Sequence, residues 1–302
     1  MHSEPLMHTA HDPCLSTCSH SLDARMIDLH LHVLPEIDDG SSSLEMTASM
    51  LARLAEMGVT RLVTTPHLME PLNPDYHRLV QSTLETIRPI ATGHGIDLDL
   101  GYEHVLVPGL AARLQSGEQS TLAGSSAVLV ELPFVGWPQH TESSLFALRV
   151  AGYVPILAHP ERYIEVQKSP ELAIVAGEQG AVLQLTSGSF AGVYGKAVER
   201  SARKLLDLAI DRDVVVVLAS DAHSDGQRLA RVPAGIKWIG SHMSRGNTLV
   251  EWASIVVPTL LLQNTPVPPF DLWAETMSSK RSTGKKDPRG DSRPPRWRRP
   301  FG

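Results

Sequence analysis

The chain has 302 residues, 42% hydrophobic and 20% charged, enough for one sizeable soluble core and ordinary for a globular protein. No apolar run approaches the ~18 residues of a membrane span, and the first 25 residues are polar and His-rich, without the apolar stretch of a secretory signal. The formal charge of −6 hides a local +6 from Glu275 onward, so the remainder carries −12, which argues against a nucleic-acid partner.

Residues 1–25 read as a disordered extension. They hold both cysteines, Cys14 and Cys18, so the body carries no disulfide framework and the expected location is cytoplasmic. With His11 and His20 these cysteines lack the second half of a finger-like zinc site, and a solvated tail is the expected reading. The stretch 26–40, MIDLHLHVLPEIDDG, is different. In an extended strand Asp28, His30 and His32 share one face, while Ile27, Leu29 and Leu31 cover the other. Two imidazoles about 7 Å apart along a strand can converge on one metal ion or on two neighbouring ones. Asp38 and Asp39 follow in a turn-rich loop.

Ser42-Ser43-Leu44-Glu45 reads as a capping box opening a helix with Met46, Met50, Leu51 and Leu54 on one face. A strand then ends at Pro66-His67, a helix is expected over 76–90, and the next strand ends at Glu103. Further strands end at Glu131, at His159, beside Thr186, and at Asp221 and His223. Strand–helix–strand alternation implies parallel strands. In a parallel α/β barrel the C-terminal strand ends form the face where sites are built. His30, His32, Asp39, His67, Glu103, Glu131, His159, Asp221 and His223 all occupy such positions. Nine such groups crowded together without cations would suffer repulsion and desolvation. Their mixture of imidazole and carboxylate suits manganese, iron or zinc better than calcium.

The strings His30-Leu31-His32, Thr65-Pro66-His67, Gly101-Tyr102-Glu103, HPERY from His159 and Ser220-Asp221-Ala222-His223 resemble the PHP (polymerase and histidinol phosphatase) superfamily. LPEIDDG, LAHPERY, QLTSGSFAGVYGK and LASDAH resemble its CpsB-type bacterial tyrosine phosphatases of capsule and exopolysaccharide synthesis. The resemblance runs from Met26 to about Pro269. It implies a distorted seven-stranded, TIM-like α/β barrel holding three divalent metal ions, manganese foremost. By that resemblance His30, His32, Glu103 and Asp221 bind one ion, and Glu103 bridges to a second held by Glu131 and His159. Asp39, His67 and His223 hold the third. Arg162 and Arg228 match phosphate-binding arginines, with Arg231 a competitor for the second, and Asp28 is expected either to orient an imidazole or to serve as a turn residue.

Leu68 stands where the family often has a second histidine, and Tyr102 and His104 flank Glu103 where smaller or apolar residues are usual. The implied activity is hydrolysis of phosphotyrosine on the tail of a bacterial tyrosine kinase. Histidinol phosphatase activity on the same barrel and a non-catalytic kinase-binding regulator are the alternatives. Neither cysteine is followed six residues later by arginine, so the cysteine-dependent phosphatases are excluded. The expected organisation is an extension over 1–25, a phosphatase domain over 26–273 and a disordered basic tail over 274–302.

Overall fold

The computed structural model describes residues 25–69 and 71–283, excepting the side chains of 280–283. The Cys14/Cys18 segment and the basic run beyond residue 283 lie outside the described residues. Nine short strands all pair in parallel: β1 (Met26–Asp28), β2 (Val59–Thr64), β3 (His67–Leu68), β4 (Asp97–Leu100), β5 (Glu103–Val105), β6 (Ala127–Glu131), β7 (Val154–Ala158), β8 (Val182–Thr186) and β9 (Val216–Ala219). They form sheets ordered β1-β2-β4 and β3-β5-β6-β7-β8-β9.

Two of the expected continuous strands are therefore split, which is the distortion in the barrel. β2 passes into β3 through Thr65 and Pro66, where proline offers no N–H to a ladder. β4 passes into β5 through Gly101 and Tyr102. At Gly101 a Cβ would stand 2.4 Å from the Leu122 side chain, so only glycine admits that approach. Pairing persists across the breaks, with Thr65 N–H donating to Leu31 O (2.9 Å) and Gly101 N–H to Thr64 O (2.9 Å). The ring closes between its first and last strands. There Asp221 N–H donates to His30 O and His32 N–H to Ala222 O, both at 2.9 Å, around a parallel bridge from Leu31 to Ala222.

Between the strands run α1 (Leu44–Glu56), α2 (Pro74–Gly93), α3 (Leu110–Ser116), α4 (Thr141–Val150), α5 (Ile164–Lys168), α6 (Glu171–Glu178) and α7 (Lys196–Asp211). After β9 come α8 (Gln227–His242), α9 (Gly246–Glu251), α10 (Val257–Leu262) and α11 (Phe270–Thr283). The first helix is capped one residue later than its capping box suggests: Ser43 Oγ accepts from Met46 N–H. Asn73 caps α2 and Pro74 opens it, so this helix begins before residue 76. Met50, Leu51 and Leu54 bury as their spacing predicts, against Leu31, Leu62 and Ile87.

A larger core packs β6–β9 against the helices that follow them, through residues such as Leu129, Ile156, Leu183, Val217 and Trp252. The expectation of a structureless tail from Ala274 is corrected at its start. Helix α11 runs across that boundary to Thr283, with Phe270, Trp273 and Ala274 buried. No helix among the described residues is long and apolar enough to cross a membrane.

Candidate metal centre

The barrel brings all nine expected side chains to one end. His30 and His32 follow β1, His67 opens β3, Glu103 opens β5, Glu131 closes β6, and His159 directly follows β7. Asp221 and His223 lie just beyond β9. His159 (φ 34°) and Asp221 (φ 48°) adopt the left-handed backbone that costs a non-glycine residue about 1–3 kcal/mol. Both residues belong to the expected ligand set.

Glu103 is the hub. Its Oε2 lies 3.1 Å from His30 Nε2, 3.1 Å from His67 Nδ1 and 3.3 Å from His32 Nε2, while Oε1 lies 3.0 Å from His159 Nε2. Asp221 Oδ1 stands 3.5 Å from His30 Nε2 and 3.9 Å from His32 Nε2. Asp39 Oδ1 stands 3.3 Å from His67 Nε2 and 3.4 Å from His223 Nε2. The imidazoles spaced along one strand meet nitrogen to nitrogen at 3.4 Å.

The other edge of each imidazole is occupied. His30 Nδ1 lies 2.9 Å from Gln184 Oε1 and His32 Nδ1 lies 2.6 Å from Asp38 Oδ2, so each Nδ1 donates away from the cluster and each Nε2 is left facing Glu103. Gln184 Oε1 also accepts from His159 N–H (3.0 Å), and Asp38 Oδ2 from His67 N–H (3.1 Å). Gln184 did not stand out from the sequence, although a glutamine inside a buried strand is a signal in retrospect, and Asp38 was noted beside Asp39 without its bond to His32. Asp28 takes the turn role rather than that of an imidazole partner. Its carboxylate accepts from the backbone N–H groups of His30 and Ser220 (3.2 Å each), so it braces the junction between the first and last strands rather than an imidazole. Gly40 permits the tight loop over His32, whose Cβ would lie 2.4 Å from a Cβ at that position.

This donor set fits divalent metal. Glu103 Oε2 is buried with no hydrogen bond despite three imidazole nitrogens around it, and His159 Nδ1 is buried without a partner. Lone pairs converging on one carboxylate oxygen are what a cation satisfies. Ligand atoms within 4.8 Å of one another form four overlapping groups: His30/His32/Asp221, His30/Glu103/His159, His67/Glu103/Glu131 and His32/Asp39/His67/His223. Within these groups Glu131 stands beside His67 Nδ1 (3.6 Å), and His32 belongs both to the group with Asp221 and to the group with Asp39.

Electrostatics reflect the crowding. Burial disfavours a charged His30, but the Glu103 and Asp221 carboxylates overcome it and push the imidazole up to about 9. Burial and the nearby Glu103 charge push Glu131 up to about 7. Burial, with His32 alongside, pushes His223 down to about 4.

The cleft above this cluster measures about 240 Å³, and Met69, Phe134, Arg162 and Arg228 complete its walls. Arg162 Nη1 donates to Asp221 Oδ2 (2.6 Å), with its guanidinium 4.6 Å from the Phe134 ring centroid and 4.4 Å from that of Tyr194. Arg228 Nη1 lies 2.6 Å from His223 Nδ1. Arg228 lines the cleft, whereas Arg231 is exposed and lies outside its lining. Phe134, Tyr194 and Met69 were not singled out as site residues. Tyr194 lies within the QLTSGSFAGVYGK string, but nothing in its spacing announces the contact with Asp221.

Architecture and donor chemistry together place the molecule among metal-dependent enzymes of the PHP type. The family model for capsular polysaccharide synthesis, CpsB/CapC, matches residues 26–252, and the chain belongs to that family. Tyrosine-protein phosphatase YwqE of Bacillus subtilis is 30% identical over 207 residues, covering 66% of this chain and 78% of that protein. Tyrosine-protein phosphatase CpsB of Streptococcus pneumoniae is 28% identical over 206 residues, covering 66% and 83%. The crystal structures of these two proteins, described as unique metal-dependent tyrosine phosphatases, provide a chain that matches with a TM-score of 0.69 at 26% identity, over 80% of this chain and 96% of that one. A Listeria monocytogenes lactonase matches with a TM-score of 0.50 at 12% identity over 79% of this chain and 94% of its own, a likeness of fold alone.

Proposed function

We propose that this chain is a metal-dependent protein-tyrosine phosphatase acting on the phosphotyrosine tail of a bacterial tyrosine kinase in the cytoplasm, within capsule or exopolysaccharide synthesis. The observation that carries the reading is the meeting, in one cleft, of the Glu103-centred ligand cluster with the Arg162 and Arg228 guanidinium groups. The residues that would hold three ions, manganese by preference, are His30, His32, Asp39, His67, Glu103, Glu131, His159, Asp221 and His223. When bound, such ions supply Lewis acidity towards phosphoryl oxygens and acidify water near neutral pH.

The protein's own groups do the rest. Arg162 spends one N–H on Asp221, and its planar fork retains donors for two phosphoryl oxygens. Arg228 adds a second positive charge at the same wall, and both favour the charge that develops in transfer. Phe134 and Met69 give the rim an apolar side suited to an aryl group. A tyrosyl leaving group, with a pKa of about 10, departs without strong protonation. The test is a panel of phosphotyrosine peptide, phosphoserine peptide, histidinol phosphate and single-stranded DNA. Phosphotyrosine should be processed far faster than the others, and equal or better turnover of histidinol phosphate would overturn the reading.

A further inference from the structure

Tyr194 lies between the expected phosphate-binding arginines and a ligand carboxylate. Its hydroxyl donates to Asp221 Oδ2 (3.1 Å), the same oxygen that accepts from Arg162 Nη1 at 2.6 Å. Arg228 Nη1 stands 4.0 Å from that oxygen. The two guanidinium carbons lie 4.4 Å and 5.4 Å from the Tyr194 ring centroid, within the range of cation–π attraction. The two oxygens of Asp221 are thus divided. Oδ1 faces His30 Nε2 (3.5 Å) and His223 Nδ1 (3.5 Å), while Oδ2 belongs to Arg162 and Tyr194.

We propose that Tyr194 is a positioning residue with two separable parts, an inference that rests on the phosphatase reading above. Its hydroxyl fixes the rotation of the Asp221 carboxylate, so that Oδ1 is presented to the metal cluster. Hydrogen bonds of this kind to a ligating carboxylate set metal affinity. Its ring offers a negative face to two guanidinium groups that would otherwise repel, holding both at one wall of the cleft for a single phosphoryl group. Phe134 also contacts Arg162, but among the described residues only Tyr194 reaches both arginines and the carboxylate. The residue sits in the short connection between the helical turn Ser187–Ala191 and α7, in a loop closed by Gly195 N–H donating to Gly192 O (3.0 Å). The ring is thereby supplied by an element that contributes no ligand of its own.

Two substitutions separate the parts. Tyr194→Phe keeps the ring and removes the hydroxyl. In metal-stripped protein, calorimetric titration with Mn²⁺ should show affinity weakened by about 10–100-fold. The affinity of the Mn²⁺-saturated variant for inorganic phosphate should match wild type. Tyr194→Leu removes both parts, and phosphate binding should then weaken as well, on the order of 10-fold. Wild-type Mn²⁺ affinity in Tyr194→Phe would overturn the proposal, as would wild-type phosphate affinity in Tyr194→Leu. Equal losses of Mn²⁺ binding, phosphate binding and melting temperature in Tyr194→Phe would reduce the residue to a structural role and also overturn it. Neither readout uses a phosphotyrosine substrate, so failure here is distinct from failure of wild type on the substrate panel.

Discussion

The ligand cluster has a buried half and an open half, and they are built differently. Around Glu103, whose side chain is 0% exposed, His30, His32, His159 and Asp221 are sealed beneath the cleft. Asp39, by contrast, has a side chain 69% exposed, and His67, Glu131 and His223 are partly open with it. Two of the buried imidazoles, His30 and His32, are braced from behind by Gln184 and Asp38. Asp39 meets only His67 and His223 among the ion pairs of the described residues. The difference teaches where affinity and exchange should reside. A fully desolvated, braced set holds a cation tightly, whereas an exposed carboxylate contributes in competition with water.

Breaking the hub should erase the distinction. Glu103→Ala removes the carboxylate shared by both halves, so turnover should fall beyond the roughly 1,000-fold that one electrostatic donor supplies. Elemental analysis should show metal lost from the whole cluster. Arg162→Lys keeps a charge at the cleft and loses the fork. The expected change is a drop in kcat/KM of about 2–4 kcal/mol in transition-state binding with metal content unchanged, measured on a small aryl phosphate.

Sharpening the comparison needs substitutions confined to one half. Gln184→Leu withdraws the partner of His30 Nδ1, and metal affinity should weaken by about 10–100-fold. Asp39→Asn should act more mildly. A higher Mn²⁺ concentration would be needed for half-maximal rate, while melting temperature stays at the wild-type value.

The smallest effect concerns two buried imidazoles driven in opposite directions. His30 is raised by carboxylates, whereas burial lowers His104 to about 4 beside the Ser120 carbonyl (2.7 Å), with no ligand role. A folded value below the unfolded one near 6.5 means that neutral His104 contributes fully above that pH. The contribution is lost as pH falls through about 4. Urea unfolding between these limits should depend on pH more steeply in wild type than in His104→Gln, by about one proton.

How much of this was legible beforehand follows from which contacts are local. The parallel strands, and the gathering of imidazole and carboxylate side chains at their ends, were readable because alternation and strand–helix order are short-range patterns. The breaks at Pro66 and Gly101 were not, since they depend on what packs beside them, Leu122 in the second case. Gln184 meets His30 across 154 residues, and Tyr194 meets Asp221 across 27, distances over which no periodicity carries information. Helix α11 was missed because its few buried residues, Phe270, Trp273 and Ala274, are followed by a Ser- and Lys-rich stretch whose composition outweighs them. The choice between the two roles of Asp28 could not be made because sharing a face with His30 in an ideal strand says nothing about the Ser220 N–H arriving from the other end of the barrel.

The central claim is that nine side chains gathered at the strand ends form one multinuclear metal centre through Glu103. Elemental analysis of active protein purified without chelator tests it most directly. The account predicts more than one transition-metal ion per chain. A reproducible value of one or less, in a preparation that turns over phosphotyrosine at full rate, would contradict it.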